Sequence, residues 1–125
     1  MNRNRVTEVG LAANIRDGLR IVTAATEGPS QPQIRESMYS FLKEDPTSGG
    51  FIVCALGLAM IGKMRSPVHA LQAFTRLQNE CHYSPRRTVS RLLRIPRHLL
   101  DAVSRRHCFG MKAADIAEAL RAGNL

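Results

Sequence analysis

The chain has 125 residues, 44% of them hydrophobic and 5% aromatic, with 18 Lys+Arg against 10 Asp+Glu for a formal charge of +8. We expect a single domain spanning 1–125 that buries a core without disulfides or a structural metal, and the length argues against a two-domain enzyme. The longest apolar run, Phe51 to Ile61, falls far short of the roughly 20 residues that a membrane helix needs, so no membrane partner is expected.

The basic start, MNRNRVTEVG, lacks the apolar stretch of a secretory signal, and residues 1–5 read as a flexible N-terminus. Residues 6–26 set Leu11, Ile15, Leu19 and Val22 at helical spacing, although Gly10 and Gly18 each weaken a helix by roughly 1 kcal/mol relative to Ala. Residues 28–33, GPSQPQ, read as a linker. Ile34, Met38, Phe41 and Leu42 then fit one helical face, while the turn chemistry of Asp45 to Gly50 and the β-prone Phe51-Ile52-Val53 equally suit a hairpin of 38–43 with 51–54. No periodic pattern of parallel strands is evident.

Ala55 to Met64 is apolar all round, as in a helix buried in a core. Ser66-Pro67 is an N-cap followed by proline at the first helical position, and the helix it opens carries Leu71, Phe74, Leu77 and Cys81 inward. Ser84-Pro85 repeats that start for a helix expected to run to Ile95, with Pro96 as its stop. Leu99, Leu100 and Val103 mark a further helix ended by Gly110. Lys112 to Ala122 is the last, with Ile116 and Leu120 inward and Gly123 as its terminator. The expected fold is mainly α, a compact bundle of about five to six short helices with the hairpin as the open alternative.

Charge is unevenly distributed along this order. Residues 1–62 hold six basic and six acidic side chains, whereas 63–125 hold twelve basic against four acidic, and seven of the twelve are arginines between Arg86 and Arg106. On a helix of about 100° per residue with Arg86 at zero, Ser90, Arg94, Arg87 and Arg91 fall between about 40° and 140°, with Ile95, Leu92, Val89 and Leu93 opposite. No acid lies on that helix to offset four neighbouring guanidinium groups. Such a face calls for an anion, because the guanidinium fork binds phosphate oxygens or guanine in two-point fashion. The expectation is non-enzymatic binding of duplex nucleic acid by Arg86, Arg87, Ser90, Arg91 and Arg94, extended by Arg97, Arg105 and Arg106. The alternative is that the same arginines dock on an acidic protein surface, such as a bacterial host or defence factor.

Other motifs are weaker. Thr88-Val89-Ser90-Arg91 resembles the recognition-helix start of bacterial helix-turn-helix repressors, but Tyr83 stands at their turn glycine and Asn79 at their small first-helix residue. The tail Gly110 to Leu120 resembles the first helix of that motif. Gly57 to Lys63 fits GxxxxGK, yet Met64 replaces the magnesium-binding hydroxyl, so glycine-permitted core packing is the better account. Cys81-His82 and His107-Cys108 lack zinc-site spacing, and Cys81 and Cys108 read as small buried hydrophobes. Three widely spaced cysteines form no closed disulfide framework, which fits a reducing cytoplasm. No catalytic constellation, metal site or cofactor is expected, and six aromatics leave few rings for stacking single-stranded bases. Oligomeric state stays open.

Cys54-Ala55-Leu56-Gly57-Leu58-Ala59 after Gly49-Gly50, with Asp115-Ile116-Ala117-Glu118-Ala119-Leu120 near the end, is similar to a layout in small bacteriophage and prophage proteins of unassigned function. The chain departs from it at Glu118-Ala119, where Asp-Trp is usual, and its arginine helix is not part of the pattern. The resemblance implies a life inside bacteria, no known activity and no transferable site residues.

Overall fold

A computed structural model describes residues 3–26, 34–37, 40–108 and 110–124. Six helices and three short strands run in the order α1 (Arg3–Thr26), β1 (Ile34–Glu36), β2 (Leu42–Glu44), β3 (Phe51–Val53), α2 (Ala55–Met64), α3 (Pro67–Cys81), α4 (Pro85–Leu93), α5 (Arg97–Cys108) and α6 (Ala113–Ala122) among the described residues. The fold is mainly helical, as expected, and the linker expected at 28–33 lies outside the described residues.

The apolar helix α2 is its centre. Every residue from Ala55 to Gly62 is buried, and α1, α3, α4, α5 and α6 all pack on it. Leu11, Ile15 and Val22 of α1 are buried as their spacing predicts, and Ala12 with them, while Leu19 is only half-buried. The glycines that lower helix propensity are what permit the fit. A Cβ on Gly18 would stand 1.9 Å from the Leu58 carbonyl oxygen, and one on Gly62 would stand 1.9 Å from that of Asn14. The two backbones therefore touch, and nothing larger than hydrogen fits at either position. Gly57 is held in the same way against the Phe41 carbonyl oxygen, at 1.8 Å from a built Cβ. The GxxxxGK string is thus a packing pattern in a core helix.

Ile34–Glu36 and Leu42–Glu44 depart from the helical reading. Leu42–Glu44 pairs antiparallel with Phe51–Val53, in the register Leu42 to Val53 and Glu44 to Phe51, so the hairpin alternative holds with shorter strands than 38–43 and 51–54. Residues 38 and 39 lie outside the described residues, and Cys54 is the N-cap of α2 rather than a strand residue. Ile34–Glu36 adds a parallel strand on the other side of β3, giving the order β1-β3-β2 where no parallel pairing was expected. The reason is burial. Phe51, Ile52 and Val53 are buried on both faces and need hydrogen bonds on both edges, whereas the flanking strands keep Arg35, Glu36, Lys43 and Glu44 in solvent. The turn between β2 and β3 is organised by Asp45, whose Oδ1 accepts from the Thr47 N–H at 3.0 Å and whose Oδ2 accepts from the Ser48 hydroxyl at 3.0 Å. Gly49 takes the positive φ of 74° that this turn requires.

Distant side chains close the helix ends. The segment expected to be flexible, 1–5, already belongs to α1 from Arg3, and the Arg5 guanidinium donates to the carbonyls of Leu120 and Arg121 at 3.0 and 2.7 Å. A cation thereby meets the negative end of α6. Glu36 of β1 accepts from the Ala113 N–H at 3.3 Å, supplying the cap that Lys112 cannot. His107 is buried, and its Nδ1 accepts from the Ala55 N–H at 3.2 Å, so this histidine caps the central helix.

Candidate nucleic-acid interface

Ser84 caps α4 as expected, its Oγ accepting from the Arg87 N–H at 3.2 Å, with Pro85 in the first turn. Val89, Leu93 and Ile95 are buried, as is Thr88, and Leu92 is half-buried, so the apolar side of the wheel is correct. The polar side needs three corrections. The helix ends at Leu93, and Arg94 adopts a left-handed conformation with φ 54°, which takes its side chain off the face assigned to it by helical periodicity. Ser90 does not present a free hydroxyl, because its Oγ donates to the Ile95 carbonyl at 2.7 Å and seals the helix end. The absence of an acid on α4 does not leave all four arginines unpaired, because Asp101 of α5 forms an ion pair with Arg86 through the oxygen that solvent does not reach.

What the fold brings together is a smaller group. Arg86 and Arg87 of α4 and Arg97 at the start of α5 line one cleft of about 430 Å³, together with Ser84, Ser90 and Leu100. Arg87 lies over the Tyr83 ring, 4.3 Å from its centroid, a stacking contact that limits the freedom of a long side chain. Neither Arg87 nor Arg97 has a carboxylate partner among the described residues.

The other predicted contacts lie outside this cleft. Arg91 is exposed one turn beyond Arg87. Arg94 faces Lys63 of α2, and the Lys63 ammonium donates to the Leu92 carbonyl. Burial first, and the Arg94 charge second, lower the Lys63 pKa from its ordinary value. Arg105 and Arg106 are exposed in the last turn of α5, about 12 Å along the axis from Arg97 at 1.5 Å per residue. Arg97 and Arg106 fall on opposite sides of α5, about 180° apart on the same count. The eight predicted residues therefore form no single flat face.

Sequence reasoning missed Lys63, Ser84, Tyr83 and Leu100 as members or neighbours of this region. Ser84 carried a signal, since an N-cap hydroxyl beside two arginines is already near any anion they attract. Leu100 carried none, because its approach to Ser84 depends on the angle between α4 and α5. Two other readings also need correction or narrowing. Cys81 is exposed at the end of α3, where Ala70 and Phe74 are the residues turned fully inward. The side chain of Cys108 lies outside the described residues. Among the described residues, no three His, Cys, Asp or Glu side chains gather as a metal site, and no helix is long and apolar enough to cross a membrane.

No known protein family, curated protein or solved structure matches the chain.

Proposed function

We propose that the chain binds duplex nucleic acid through its phosphates, without catalysis, using the arginines of α4 and α5. The observation that carries this reading is a mismatch in pairing. Of the four acids in the second half, Glu80, Asp101 and Glu118 are already paired with Arg76, Arg86 and Arg121, while Arg87, Arg91, Arg94, Arg97, Arg105 and Arg106 have no carboxylate partner among the described residues. Six such cations within 20 positions, spread over the cleft and the helix faces beside it, favour DNA through the counterions its phosphates release on contact.

Phosphates suit this surface better than base edges. Arg86 is held by Asp101, the Ser90 proton is committed to Ile95, and α4 has only nine residues, so little of its exposed face is free to reach into a groove. Binding should accordingly show weak sequence preference.

A mobility-shift titration of a duplex at two salt concentrations tests the reading. Affinity should fall steeply with salt, and Arg91→Ala, Arg97→Ala and Arg105→Ala should each lower the slope of log affinity against log salt by about 0.9. Absent or salt-independent binding would overturn it. Retention of a protein partner from bacterial lysate after nuclease treatment, with no duplex binding, would instead favour docking on an acidic protein surface.

A further inference from the structure

We propose that the cleft between α4 and α5 is a site for the terminal phosphomonoester of a nucleotide, presented at a strand end or on a free mononucleotide. The inference deepens the phosphate-binding reading above and rests on it for the strand-end source.

Charge is the first argument. Three guanidinium groups line the cleft and one carboxylate, Asp101, offsets Arg86, so the charges of Arg87 and Arg97 remain uncompensated. A phosphomonoester carries about −1.5 to −2 at neutral pH and matches that surplus. An internal phosphodiester carries a single negative charge and would leave about half of it unmet. The exposed arginines outside the cleft have no comparable enclosure and suit the internal phosphates.

Donor geometry is the second. The Ser84 hydroxyl accepts from the Arg87 N–H, which leaves its own proton to donate into the cleft. Ser90 is a contrasting neighbour: its proton goes to the Ile95 carbonyl, so it can only accept. The site thus offers Arg86, Arg87, Arg97 and Ser84 as donors around one position, with Arg86 oriented by Asp101 and Arg87 by the Tyr83 ring. Donors held in place lose less entropy on binding than free arginines do.

Size is the third. About 430 Å³ lies within the range of roughly 300 to 1,000 Å³ typical of small-molecule sites. A phosphate group is a single compact tetrahedron and fills only a part of that space. The remainder needs a body. Leu100 and the arginine stems provide an apolar wall, and the face of Arg87 turned from Tyr83 is a flat cation on which a base can stack.

The test compares one duplex carrying 5′-phosphates with the same duplex carrying 5′-hydroxyls, and uses adenosine 5′-monophosphate as a competitor and, by calorimetry, as a ligand. The phosphorylated duplex should bind about tenfold tighter, equivalent to 1.4 kcal/mol. The mononucleotide should erase that preference. Arg87→Ala with Arg97→Ala should abolish it as well, whereas Arg105→Ala with Arg106→Ala should weaken both duplexes equally. Competition on the unaltered chain requires no variant to fold. Equal binding of the two duplexes, unaffected by the mononucleotide, would overturn the cleft site and leave the phosphate-contact reading standing. Calorimetric binding of the mononucleotide without binding of either duplex would support the cleft with the free nucleotide as its source, and would overturn the duplex reading. No binding of any probe would overturn both.

Discussion

The helix-end contacts and the α4–α5 corner use basic side chains in opposite ways. Arg5 and Lys63 stand where carbonyl groups are left over, at the ends of α6 and α4, and each donates to that backbone. Arg87 and Arg97 stand at helix starts, beside N–H groups, where a cation meets no backbone acceptor and the helix dipole is unfavourable. Both kinds of residue contribute equally to a charge of +8. A cation's position along its helix and the identity of its acceptor separate a side chain committed to the fold from one left without a carboxylate or backbone partner among the described residues, while a count of charges does not.

The core beneath both regions provides the largest test. Gly18→Ala places a methyl group 1.9 Å from a carbonyl oxygen of α2, a backbone clash that side-chain movement cannot relieve. A loss of about 3 kcal/mol is expected, or a fall in melting temperature of roughly 10 °C. A variant melting within 2 °C of the parent would show that α1 and α2 do not touch as described, and the frame that carries both regions would need redrawing.

A paired measurement then addresses the comparison itself. Arg5→Ala should lower stability by about 1 kcal/mol, since two carbonyls at the α6 terminus lose a charged donor, whereas Arg97→Ala should change it by less than about 0.5 kcal/mol. Equal losses in thermal denaturation would mean that the α5 arginine is also structural, and the contrast would fail.

The smallest effect concerns an acid with the opposite assignment. Asp45 is held below the usual carboxylate range, chiefly by the Thr47 N–H, then by the Ser48 hydroxyl and, more weakly, by the Arg35 charge. A group whose folded pKa is depressed contributes stability above its unfolded pKa, and that contribution is lost as pH falls through the folded value. Asp45→Asn should therefore flatten the stability profile below about pH 4 and leave its neutral-to-alkaline part parallel to that of the parent. Urea midpoints measured across acid pH check this, and an unchanged acid slope would remove the turn from the list of fixed charges.

Much of the helical frame was legible because its signals are local. Ser66-Pro67 and Ser84-Pro85 start helices by supplying a hydroxyl and a preset φ, and Gly123 ends one by tolerating φ 77°. Arg94 was misplaced because its left-handed conformation is one that side chains other than glycine seldom adopt, so helical periodicity was carried two residues too far, to Ile95 instead of Leu93. Glu36 as the cap of α6 and His107 as the cap of α2 were illegible, since their partners lie 77 and 52 residues away.

The sequence by itself determined that this is a mainly helical chain with a buried central helix and a positive charge surplus confined to its second half, because burial periodicity, capping and composition act over a few residues. Only the tertiary structure decided which arginines meet. Asp101 neutralises Arg86, Tyr83 steadies Arg87, and Arg97 joins them across a helix boundary, whereas Arg94, Arg105 and Arg106 are carried elsewhere. The physical reason is that the pairing of charges depends on distances of a few ångströms between helices, and those are set by how α4 and α5 pack on the core.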